Sequence, residues 1–165
     1  MAQTTIDAHR EGAEVYTGDA LCRQKSVELL QLFNLPGGLL PLEDVEEVGF
    51  NRNSGFVWLR QKKARNHTFR KIGRLVSYAS EVTAIVEDRR MRRLTGVKSK
   101  ELLIWITLSE FYVDPKDPSR ITFKTPAGLF RSFPTSAFEL EGDDQKNKEA
   151  PPAPEVPATA AADAN

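Results

Sequence analysis

Thiols and imidazoles are scarce in this chain of 165 residues: Cys22 is its one cysteine, and His9 and His67 are its two histidines. A lone cysteine cannot close an internal disulfide, so a reducing compartment is expected. One thiol and two distant imidazoles do not make a zinc site, whose structural form takes four such ligands; no metal or other cofactor is expected. Nucleophilic catalysis is equally short of parts, because no Gly-x-Ser-x-Gly elbow is present. His9 lies in a polar N-terminal stretch, His67 follows a basic loop where an exposed structural role is expected, and Ser26 near Cys22 reads as a core-facing helix position. No catalytic residue is assigned. No apolar run reaches the roughly 18 residues of a membrane span, and Met1 to Arg10 has no hydrophobic stretch of the signal-peptide kind. These absences point to a cytoplasmic protein, at most peripheral to a membrane.

Net charge is also missing, at +0, but its distribution is uneven. Residues 1–59 hold four basic and nine acidic side chains, whereas residues 60–100 hold thirteen basic and three acidic, a local net of +10. Residues 101–140 come to −1 and residues 141–165 to −4. A basic middle of this size expects an anionic partner.

The hydrophobic pattern is that of a β-rich domain. Residues 1–15 read as a partly ordered segment with helical tendency. Asp19 is placed as an N-cap, and Cys22, Ser26, Leu29, Leu30 and Phe33 then recur at helical spacing until Asn34-Leu35-Pro36-Gly37-Gly38 stops the helix. Val45–Phe50 and Phe56–Lys63 flank the turn residues Asn51–Gly55 and read as a hairpin, with Phe56, Trp58 and Arg60 on one face and Val57, Leu59 and Gln61 on the other. Strand composition continues over His67–Tyr78, slipping phase at Gly73, where a bulge or a tight bend is expected, then over Glu81–Glu87, Met91–Val97, Arg120–Thr125 and Leu129–Phe133. The densest apolar run, Glu101–Val113, alternates with both faces largely apolar and predicts a central strand covered on both sides, bent near Ser109-Glu110. Residues 141–165, acidic and rich in Pro and Ala, read as a disordered tail. The expected fold is mainly β (α+β): one domain over 16–140, a curved antiparallel sheet forming a roll or barrel, with an N-terminal amphipathic helix packed on or in it.

Several short motifs occur in a fixed order: Leu35-Pro36-x-Gly38-Leu39-Leu40-Pro41-Leu42, Glu46-Glu47-Val48-Gly49-Phe50, Gly55-Phe56-Val57-Trp58-Leu59, Tyr78-x-x-Glu81-Val82-Thr83-Ala84, Leu94-Thr95-Gly96-Val97-Lys98 and Phe133-Pro134-x-Ser136-Ala137-Phe138. Together, over about residues 7–140, they resemble the plant domain-of-unknown-function 538 family, in the branch named SMALLER WITH VARIABLE BRANCHES. The resemblance implies a β-rich roll, a plant source, and links to trichome growth and stress response. It also implies two candidate activities, lipid binding and chlorophyll hydrolysis, without an established residue set for either. Many relatives carry a signal peptide; this chain departs from that pattern.

Two candidate sites follow from the residues. Arg89, Arg90, Arg92 and Arg93, with Lys62, Lys63 and Arg65, are the candidate contacts to an anionic membrane surface, where each basic side chain near the bilayer contributes on the order of 1 kcal/mol. Trp58, Trp105, Phe123, Phe130 and Phe133 are the candidate lining of an apolar pocket for an amphipathic small molecule. Nucleic acid would use the same charges, but no helix-turn-helix, RNP-like aromatic pair or zinc spacing accompanies them. The expected function is non-catalytic binding of anionic lipid or an amphipathic ligand. An esterase acting on chlorophyll or a lipid ester is the alternative, and a scaffold for other proteins recruited through the tail is a second one.

Overall fold

The computed structural model describes residues 2–140; the tail predicted over 141–165 lies outside them. The chain runs α1 (Ala2–Arg10), β1 (Glu14–Thr17), α2 (Asp19–Leu32), then β2 (Val45–Phe50), β3 (Phe56–Gln61), β4 (Arg65–Phe69), β5 (Arg74–Glu87), β6 (Arg90–Glu101), β7 (Ile104–Thr107), β8 (Glu110–Val113), β9 (Arg120–Lys124) and β10 (Phe130–Pro134), closing with a 3₁₀ turn over Thr135–Phe138. All ten strands join one antiparallel sheet, ordered β1-β2-β3-β5-β6-β8-β9-β10, with β4 added to β5 and β7 to β6. The sheet is mainly β and not closed, with the helices at its N-terminal end. Its spine is the β5–β6 hairpin, 14 and 12 residues long. Each of these strands serves two partners. The first half of β5 pairs β4 and the second half β3, while β6 pairs β8 at its start and β7 at its end.

The alternation of β3 explains the layering. Val57 and Leu59 enter the main core with Cys22, Leu29 and Leu30 of α2, whereas Phe56 and Trp58 face the other way and form a second small core with Ile6 of α1. This strand, unlike the outer part of the 101–113 run, is buried on both faces. Burial of Cys22, Ser26, Leu29 and Leu30 at successive helical turns holds α2 against β1 and β2. Asn34, at φ 60°, takes the left-handed turn that ends it.

Three expectations need correction, and the one at Gly73 holds in one of its two forms. Gly18, not Asp19, is the residue preceding α2; Asp19 is the first helical residue, and its carboxylate instead accepts from the Val45 backbone at 2.9 Å. At Gly73, φ 61°, the chain makes the tight bend, a turn between β4 and β5. Residues 78–81 do not break a strand, because β5 is continuous over 74–87 and only its pairing register shifts there. The 101–113 run is the largest departure. It holds the end of β6, a two-residue turn at Leu102-Leu103, β7, and β8 after an interruption at Leu108-Ser109. Leu102, Leu103, Ile104 and Trp105 are exposed. Periodicity assigns residues to faces; it does not say whether another layer covers them.

Candidate binding groove

Beside the open end of the main core, four separate stretches of chain enclose a groove of about 610 Å³. One wall is the Arg23–Val27 face of α2, the second the connection Gly37–Glu43, the third β4 with its following turn, and the fourth the C-terminal Ala137–Leu140. The alternation of β4 turns Arg65, His67 and Phe69 toward the groove while Asn66 and Thr68 are exposed on the other side. Gly38 sets how close the walls come. Its N–H donates to the Phe138 carbonyl at 2.8 Å, and a Cβ at Gly38 would lie 2.6 Å from that same oxygen. Only glycine lets the two segments touch.

The lining divides by chemistry. Leu40, Leu42, Phe69 and Ala137 form a buried apolar floor. Phe69 packs edge-on to His67 at 4.6 Å and against Phe138 at 4.6 Å, which fixes the floor to the core. Around this floor stand the cations Arg23, Arg65, Arg70 and Lys71, opposed by the carboxylates Glu43 and Glu139. Arg23 is held by Asp19 at 3.0 Å and Arg65 by Glu43. Arg70 is exposed and has no ion pair among the described residues. The volume lies within the roughly 300–1,000 Å³ of small-molecule sites, and the lining suits a ligand with an apolar body and an anionic head.

Of the residues singled out in the sequence, Ser26, Arg65 and His67 line this groove, whereas Lys62, Lys63, the Arg89–Arg93 cluster and the five candidate aromatics do not. Lys62 and Lys63 are exposed in the turn between β3 and β4. Arg89 begins the other end of the β5–β6 hairpin. Arg65 pairs in register with Tyr78, and Arg90 with Glu87, nine residues along β5, a separation of about 30 Å of strand. The basic residues therefore form two surfaces, not one. Within the arginine cluster, Arg89 is 4.0 Å from Asp88, Arg90 is 3.2 Å from Glu110 and lies over the Tyr112 ring, and Arg92 pairs Glu87. Arg93, exposed at φ 53°, has no ion pair among the described residues.

The aromatic candidates separate in the same way. Trp58 sits fully buried in the small core under α1, its indole N–H donating to Glu47 at 2.8 Å. Trp105 lies on exposed β7, under the ammonium of Lys100 at 5.7 Å. Phe123, Phe130 and Phe133 do share a cavity, of about 280 Å³, with Ile106, Leu108 and Leu129. No group of three His, Cys, Asp or Glu placed to hold a metal occurs among the described residues, and no described helix is long and apolar enough to cross a membrane.

The described residues form a mainly β protein, one open ten-stranded antiparallel sheet with an amphipathic groove beside its main core. Residues 26–139 match the family described as proteins of unknown function, DUF538, and the chain belongs to that family. The match begins within α2, so the groove lies almost wholly inside it, while α1, β1 and residues 19–25 of α2 precede it. No curated protein and no solved structure matches the chain.

Proposed function

We infer that this protein is a non-catalytic binding protein whose ligand is a small amphipathic anion, an apolar body bearing a carboxylate or phosphate, seated between α2 and β4. The observation that carries this reading is the pairing of a buried apolar floor with four cationic side chains around a single groove. A ligand there would place its chain over Leu40, Leu42 and Phe69 and its head near Arg65 and Arg70. Burying one Leu-sized part of the chain contributes about 1.5–3 kcal/mol, and the charge-assisted hydrogen bonds to guanidinium fix which way the ligand lies. In the plant setting that the resemblance implies, trichome growth and stress response are the processes in which loss of binding should be scored.

Calorimetric titration with laurate, dodecyl phosphate and neutral dodecanol tests this. Laurate or dodecyl phosphate is expected to bind at least tenfold more tightly than dodecanol, and Arg65→Ala/Arg70→Ala to remove that preference. Equal affinity for all three, or no binding, would overturn it. Hydrolysis of an ester held in the same groove is the second reading, because Ser26 and His67 both line it. Ser26 is poorly placed as a nucleophile: it is 4% exposed and its hydroxyl donates to the Cys22 carbonyl at 2.8 Å. Turnover of p-nitrophenyl laurate that Ser26→Ala and His67→Ala both abolish would favour hydrolysis instead.

A further inference from the structure

The turn joining β6 to β7 breaks two local rules at once. Glu101 pairs with Ile104, so the turn has two residues, Leu102 and Leu103. Leu102 takes φ 58°, a conformation for which such turns ordinarily use glycine or asparagine. These leucines are also 90% and 89% exposed. Neither turn formation nor core packing accounts for leucine at both positions. What the choice does produce is a protruding apolar point, continued by Ile104 and Trp105 on β7.

A second exposed apolar pair joins it from another hairpin. Leu129 and Phe130, 66% and 63% exposed, open β10, and the next residue, Arg131, is held at 2.9 Å by Glu101 at the base of the turn. Both hairpins border the 280 Å³ cavity floored by Phe123 and Phe133. The flanking charge is net positive. Arg74, Lys98, Lys100 and Arg131 surround the point, and the neighbouring carboxylate, Glu101, is already engaged by Arg131 and Arg74, which hold it below the usual carboxylate range.

We propose that this double-hairpin tip docks the protein on a bilayer containing anionic lipid, with Leu102 and Leu103 inserted among the acyl chains and Lys98, Lys100 and Arg131 at the headgroups. The idea does not rest on the groove, which lies on β4, on the other side of the β5–β6 spine from β7. Charge selects the occupant. A second copy docked tip to tip would bring two patches of the same net positive charge together, since a two-fold contact apposes the same surface patch of both copies. An anionic bilayer both attracts the cations and takes up the apolar point. Trp105, with its ring beneath Lys100, has the apolar body and polar edge that favour the interfacial zone. The surface differs from the Arg89–Arg93 cluster, which occupies the opposite end of β6.

The test is co-sedimentation of the full chain with phosphatidylcholine vesicles, with and without phosphatidylserine, alongside tryptophan fluorescence. The informative variant is Leu102→Gly/Leu103→Ser, because glycine relieves the strained φ while both apolar side chains are removed. Its melting temperature should hold or rise while its partitioning onto phosphatidylserine vesicles falls by at least tenfold, the low end for returning one leucine to water. The wild type should show a blue shift on binding that Trp105→Phe abolishes, Trp58 being buried already. Arg65→Ala/Arg70→Ala should sediment like the wild type, so the groove and the tip fail separately. Absence of sedimentation with phosphatidylserine vesicles, or wild-type binding by the leucine variant, would overturn the proposal. A wild-type dimer that ignores vesicles and becomes monomeric in the leucine variant would also overturn it, assigning the tip to a second copy.

Discussion

Gly49→Ala should cost this protein a large part of its stability, for a reason readable in the sheet register. Gly49 lies opposite Trp58 in the β2–β3 pair. A Cβ on Gly49 would sit 2.1 Å from the Cζ2 of Trp58 and 2.3 Å from Cε2 and Cη2, against an optimal carbon separation of about 3.5–4.0 Å. The indole must therefore withdraw by about 1.4 Å or more. Its way out is blocked by Ile6 of α1 and by Phe56, and its N–H is tied to Glu47 at 2.8 Å. Overpacking of this kind costs about 1–3 kcal/mol, and giving up the bond to a charged acceptor adds about 1.5–3 kcal/mol. A loss of about 3–5 kcal/mol is a third or more of a typical domain's stability. Gly49 is not at positive φ, so backbone strain plays no part; without the indole, alanine would stabilise by about 0.4–1 kcal/mol through the unfolded chain. Urea denaturation followed by circular dichroism measures the difference, and Trp58→Phe provides the control. Phenylalanine lacks the second ring that meets the new methyl, so Gly49→Ala in that background should cost less than about 1 kcal/mol. A cost below about 1 kcal/mol in the wild-type background, or an equal cost in both, would refute the steric reasoning.

Further outcomes follow from the same face of the sheet and from α2. Glu47 accepts two bonds from Arg10 at 3.1 Å, besides those from Trp58 and Arg60, and Arg10 foremost holds its pKa below the ordinary 4.5. Its contribution is therefore complete above that value and lost as pH falls through the lower folded-state value. Thermal melts from pH 7 downward should show the wild type losing its advantage over Glu47→Gln below about pH 4.5, and a difference independent of pH would count against the pairing. Cys22 is fully buried, donates to the Tyr16 carbonyl at 3.2 Å, and has its thiol pKa raised chiefly by burial. It should stay unreactive toward a disulfide reagent in the native protein and react fully in denaturant; rapid labelling of the folded chain would show that α2 opens.

Much of this protein was legible in the residues alone. The ordered motifs point to the family, the spacing of Cys22, Ser26, Leu29 and Leu30 marks α2, and the alternation of β3 separates Val57 and Leu59 from Phe56 and Trp58. Such patterns are local, fixed by helical and strand periods, and survive whatever the tertiary structure does. Burial is not local. Glu101–Val113 has the composition of a core strand, yet the chain turns at Leu102-Leu103 and nothing among the described residues covers the outer end of that hairpin. The short helix α1 looked like a loosely ordered start, yet Ile6 seals one core and Arg10 clamps Glu47. The groove was least legible of all, since its walls come from residues 23–27, 37–43, 65–71 and 137–140. Spacing along the chain decides which side chains share a face; the pairing of β4 with β5 and the contact of Gly38 with Phe138 decide which of those faces meet.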